Sequence, residues 1–104
     1  MALFAVIARR APVGISADEF SQRLALGFDY TKDLLDKGVM KHRWIMVGAS
    51  AGLNIYDCES HEHLMSVLYD SPVSQHLEFD VYPLIDPAAF DPMKAVRNRE
   101  AAES

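Results

Sequence analysis

The stretch HRWIMVGASAGLNIYDCESHEH, His42 to His63, gathers three of the chain's four histidines, its single cysteine and its single tryptophan, together with Asn54 and Tyr56. Those residue types point to three kinds of chemistry. A neutral imidazole beside a thiol draws off its proton and leaves a nucleophilic thiolate, so His42 and Cys58 form a candidate pair if they face each other across two strands. Imidazoles also bind metals, but His61 and His63 are two residues apart. On a helix they point about 200° from each other and do not share one ion, so no metal site is expected. Trp44 and Tyr56, with Met40 and Met46, supply large contact area and polar tips of the kind used at subunit interfaces.

The elements that must position these side chains follow from the pattern around them. MALFAVIARRAP is an apolar, β-rich run halted by Pro12 and Gly14, a first strand near Leu3 to Arg9. Ser16 followed by Glu19 is a capping box. Phe20, Leu24, Gly27, Thr31 and Leu34 then recur at helical spacing up to Gly38, which suits a left-handed end. VMKHRWIMVG and GLNIYDC read as a hairpin around ASA. Ser60 caps a second helix carrying Leu64, Val67 and Leu68, which stops before Pro72, and HLEFDVYPL alternates as a fourth strand. The order βαββαβ predicts an α+β, ferredoxin-like domain over residues 1–85, an antiparallel four-stranded sheet with both helices on one face. Residues 86–104, with two Asp-Pro breaks, are expected to form a C-terminal arm.

A hairpin centred on Ser50 pairs Val47 with Leu53 and Ile45 with Ile55, and sets those four beside Leu77, Phe79 and Val81 against the helices. Met40, His42, Trp44 and Met46 then fall on the opposite face with Asn54, Tyr56 and Cys58, and His42 lies opposite Cys58. In so small a chain the bare face calls for a second copy, a homodimer or larger homo-oligomer.

Composition limits the partners. The chain has 104 residues, half of them apolar and 24% charged, which suits one globular domain. A net charge of -5 argues against a nucleic-acid or anionic-membrane surface, and a lone Cys58 excludes an internal disulfide. The apolar start lacks a basic leader and is too short to span a bilayer, so a cytoplasmic protein acting on a small molecule is expected.

Gly27 on the inward helix stripe either allows close packing on the sheet or leaves a gap that serves as a pocket. Asp29 and Tyr30 flank that stripe, and Arg43 and Asp57 are expected on the helix-covered face near its mouth. A cation beside aromatic walls suits an anionic organic ligand.

Across DKGVMKHRWIMVGASAGLNIYDCESHEHLMSVLYDSPVSQHLEFDVYPL the chain resembles the muconolactone isomerase family. Gly38, His42, Trp44, Gly48, Tyr56, Asp57, Ser60, Leu64, Leu68, Pro72 and Leu84 carry the resemblance. It implies dimeric α+β barrels, no metal or organic cofactor, and a proton shift in an unsaturated lactone from aromatic catabolism. The chain departs from the family where the first-helix glutamate falls at Gly27, the arginine after the tryptophan at Ile45, and polar turn residues at Ser50 and Gly52. The reading that follows is an isomerase-like, cofactor-independent catabolic enzyme. His42 serves as general base with Asp29 or Tyr30 in reserve, Tyr30 and Asn54 stabilise an enolate oxygen, Arg43 binds the substrate carboxylate, and Trp44, Tyr56 and Cys58 line the site. The alternatives are a cofactorless monooxygenase on the same barrel and a non-catalytic metabolite-binding or dimerisation module.

Overall fold

Alternation in the first apolar run decides the two sides of the sheet. In the computed structural model, which describes residues 2–12 and 14–103, strand β1 (Ala2–Arg10) buries Phe4 and Val6 under the helices and turns Leu3, Ala5 and Ile7 to the other face. Helix α1 (Ala17–Asp36) begins where Ser16 Oγ accepts the Glu19 amide at 3.2 Å, as the capping box requires. It ends at Gly38, whose φ of 78° lets the chain turn back while the Val39 amide donates to Leu34 O. Strands β2 (Met40–Ile45) and β3 (Ala51–Cys58) form the hairpin, and helix α2 (His61–Tyr69) starts at Ser60, which accepts the His63 amide. Strand β4 (Leu77–Leu84) closes the sheet in the order β2-β3-β1-β4, with every neighbouring pair antiparallel. This is the ferredoxin-like arrangement. Its core, between sheet and helices, centres on Phe4, Val6, Leu34, Met40, Tyr56 and Leu64.

The hairpin register differs from the symmetric expectation. The turn is centred between Gly48 and Ala49 rather than on Ser50: Met46 N donates to Ala51 O, and Gly48, at φ 83°, supplies the left-handed residue inside the turn. Trp44 therefore faces Leu53, Arg43 faces Asn54, and His42 faces Ile55. A side-chain period of two means that this slip exchanges the faces of β3. Asn54, Tyr56 and Cys58 point to the helices, while Leu53 and Ile55 join Ala5 and Ile7 on the far face. A register shift between Met40 and His42 adds a bulge, so that Met40 and Arg43 both reach the helix side. Leu77 and Phe79 of β4 are on the helix side as expected, and so is Ile45, which is nevertheless 73% exposed. Asp57, placed by sequence on the helix side, instead pairs with Leu3 on the far face, its Oδ2 4.0 Å from Lys41 Nζ.

Beyond Asp86, which caps a single turn at Pro87–Ala89, the chain forms helix α3 (Pro92–Glu103), where Asp91 accepts the Met93 amide and pairs with Arg97. Met1 and Ser104, the outer ends of the two segments delimited by sequence, lie outside the described residues. Among the described residues no helix is long and apolar enough to cross a membrane.

Candidate functional site

A cavity of about 300 Å³ lies between α1, the end of α2 and the helix-covered face of the sheet. Gly27 is part of its lining. A methyl group there would stand 2.9 Å from Val73 Cγ1, so the space a side chain would take is filled and α1 rides close against the segment after α2. Of the two outcomes left open for a glycine on the inward stripe, its contacts show close packing.

The polar groups of the cavity come from three elements. On β2, Arg43 Nη1 donates to Phe28 O at 3.0 Å and to Thr31 Oγ1 at 2.9 Å, and the guanidinium lies 5.6 Å from the centre of the Phe28 ring. Two acceptors and an aromatic face fix a side chain that would otherwise be a mobile cation on an edge strand. On β1, Arg10 sits over the Phe20 ring at 4.7 Å and donates to Ile15 O at 3.2 Å. On β3, Asn54 and Tyr56 are adjacent on one face, and among the described residues neither side chain has a hydrogen-bond partner. Tyr30, from α1, donates its hydroxyl to Val67 O at 2.7 Å.

Electrostatics keep both phenols protonated at neutral pH. Burial, followed by the carboxylates of Asp70 and Asp33, raises the Tyr30 pKa. Burial raises that of Tyr56 further, helped by the neighbouring Tyr30 and Cys58. Tyr30 uses its proton on Val67 O, and Tyr56 keeps one to donate. Among the described residues the lining contains no carboxylate and no imidazole; its charged groups are Arg10 and Arg43.

Of the residues singled out by sequence, the cavity brings together Tyr30, Arg43, Asn54 and Tyr56. Trp44 borders it, but its ring stacks on His42 at 4.9 Å and 5° between planes, on the far face of β2. His42 and Asp29 do not line the cavity. The expected His42–Cys58 pair does not form, because the shifted turn sets His42 against Ile55 and sends Cys58 into the core. There Cys58 is 0% exposed, and burial, with Asp57 beside it, raises the thiol pKa, which leaves it protonated rather than nucleophilic. His61 packs edge-on against Phe4, and His63 Nδ1 accepts the Glu59 amide. Arg10 and Phe28 had no place in the expected site, and Phe20 only one on the inward stripe. The first had a signal in the sequence, since Phe4, Val6, Ala8 and Arg10 continue one alternation onto the helix side.

A family model described as muconolactone delta-isomerase matches residues 2–89. The chain belongs to the muconolactone delta-isomerase family. A muconolactone delta-isomerase of Acinetobacter baylyi is 27% identical over 73 residues, which is 70% of this chain and 76% of that protein. Muconolactone delta-isomerase 2 of Acinetobacter lwoffii is 32% identical over 54 residues, 52% of this chain and 56% of its own. Among solved structures, a muconolactone isomerase superposes with a TM-score of 0.71 at 25% identity, covering 81% of this chain and 88% of the other. Membership of this isomerase family agrees with the observed strand order, and the matched residues 2–89 include every cavity-lining position.

Proposed function

We propose that the protein is an isomerase that moves a proton within an anionic, unsaturated lactone derived from an aromatic compound, without a cofactor, and that the helix-covered cavity is its substrate site. The observation that carries this reading is the pairing of a fixed cation with two unpartnered polar groups in one cavity: Arg43 faces Asn54 in the sheet, and Tyr56 stands two residues further along β3. In this reading Arg43 holds the substrate carboxylate. When a proton leaves the carbon next to the lactone carbonyl, negative charge gathers on the carbonyl oxygen. The Tyr56 hydroxyl and the Asn54 amide donate to that oxygen, in a site where burial strengthens both bonds. The reaction also needs a proton carrier that works near neutral pH. The described lining residues include no carboxylate or imidazole, so in this reading the carrier is a group outside that lining.

Incubation of the protein with muconolactone, and with a lactone of the same ring that bears a second carboxylate, in deuterium oxide, followed by proton NMR, tests the reading. Exchange of deuterium at the carbon next to the carbonyl, together with migration of the double bond, is the expected result. Binding of the lactone without exchange would instead make the chain a metabolite-binding module, and consumption of dissolved oxygen would point to monooxygenase chemistry.

A further inference from the structure

The cavity holds two arginines, and the second has no part in the chemistry above. Arg9, one residue before Arg10, points to the far face and is paired there with Asp80; Lys37, Lys41 and Arg97 are likewise within reach of carboxylates. Arg10 and Arg43 have no ion-pair partner among the described residues, and both line the cavity. Each is held in the same manner, over a phenylalanine ring of α1 and against a backbone carbonyl, Ile15 O for Arg10 and Phe28 O for Arg43. An arginine fixed this way keeps most of its donors free and pre-oriented, at little further entropic cost when an anion arrives.

The two anchor rings, Phe20 and Phe28, are eight residues apart on one helix, roughly 12 Å along its axis at the α-helical rise. The wall between them is apolar, formed by Leu24 and Gly27 from above and by Ala8, Ile45 and Leu77 from the sheet. The two cations are thus anchored at separate points along one helix, each over its own ring, and not on a shared one. We propose that the site takes an organic dianion, two carboxylates joined by a short apolar carbon skeleton, with Arg43 holding one and Arg10 the other. This rests on the reading of the cavity as the substrate site and narrows its substrate class to lactones, or their open-chain relatives, that bear a second acid group. With the anchor spacing of roughly 12 Å as the guide and each carboxylate about 4 Å from its guanidinium, a skeleton upward of about four carbons spans the gap.

Isothermal titration of the folded protein with butanedioate, hexanedioate and octanedioate, against butanoate, hexanoate and octanoate at constant ionic strength, tests the assignment. One diacid is expected to bind at least about tenfold tighter than the monoacid of equal length, as one extra charge-assisted pair implies. Arg10→Gln and Arg43→Gln should each reduce that ratio to about twofold or less. Arg9→Gln, on the far face, should leave it unchanged. Circular dichroism and melting verify that the variants fold; should Arg43→Gln fail to, Arg43→Lys keeps the charge without the fork and should give an intermediate ratio. Equal binding of mono- and diacids, no binding of either, or an Arg10→Gln protein with the full ratio would each overturn the proposal. Failure of the isomerase reading appears separately, as a preserved diacid preference in a protein that exchanges no lactone proton.

Discussion

At the scale of single residues, position on a strand matters more than chemical type. His42 is the histidine with the most suggestive neighbours in the sequence, yet on β2 it faces away from the cavity and stacks on Trp44. His42→Ala is therefore expected to lower lactone turnover by less than about fivefold, well short of the hundredfold typical of a lost general base. A hundredfold loss in a protein that keeps its assembly would restore His42 as proton carrier. Tyr56 is the converse case. It is 4% exposed, and its raised pKa means that the folded state keeps the phenolic proton above pH 10, where the unfolded chain gives it up. The stability linked to Tyr56 is thus fully present below about pH 10 and falls as pH rises beyond it, by up to about 1.4 kcal/mol per pH unit. Urea unfolding at pH 9 and pH 11 should show a smaller loss in Tyr56→Phe than in the parent. An identical loss in both would place the alkaline sensitivity elsewhere.

At the scale of elements, the contact between α1 and the segment after α2 sets the cavity's shape. Gly27→Ala gains up to about 1 kcal/mol of helix propensity but drives a methyl group to 2.9 Å from Val73, which is buried and β-branched and has little freedom to move. Overpacking of that kind costs about 1–3 kcal/mol, so the variant should be level with the parent or less stable by up to about 2 kcal/mol. Adding Val73→Ala should recover part of that loss, and a double-mutant cycle by denaturant unfolding reads the coupling directly. Strict additivity of the two changes would show that α1 gives way instead of Val73. The caps, the element order and the inward helix stripe were legible in the sequence because each depends on residues within a few positions of one another: Ser16 with Glu19, Ser60 with His63, Gly38 after Leu34. The face of β3 was not. It depends on where a turn containing two candidate glycines places its left-handed residue, and a wrong centre inverts the strand.

At the scale of the whole molecule, the corrected register changes what the uncovered sheet face offers. The face keeps His42, Trp44, Asp80 and Tyr82, but its middle is now an apolar, half-buried strip of Ala5, Ile7, Leu53 and Ile55. A second copy covering this face is expected to make the protein a homodimer or larger assembly at micromolar concentration, as sedimentation velocity would show. Ile55→Glu, at the centre of that face, should shift the protein towards monomer and lower its melting temperature. A folded monomer of the parent chain would refute this, and so would an Ile55→Glu assembly indistinguishable from it.

The sequence by itself determined the βαββαβ order, the single ferredoxin-like body, the family resemblance and the helix that roofs the site, because apolar period, caps and breakers act locally. It also supplied Arg43, Tyr30, Asn54 and Tyr56 as site candidates. Tertiary structure alone decided which of them meet, since a cross-strand partner is fixed by turn geometry and a bulge, and these set parity for every residue downstream. It separated Cys58, on the helix side, from His42, on the far face, and brought Arg10 into the cavity with Arg43, each over a phenylalanine of α1.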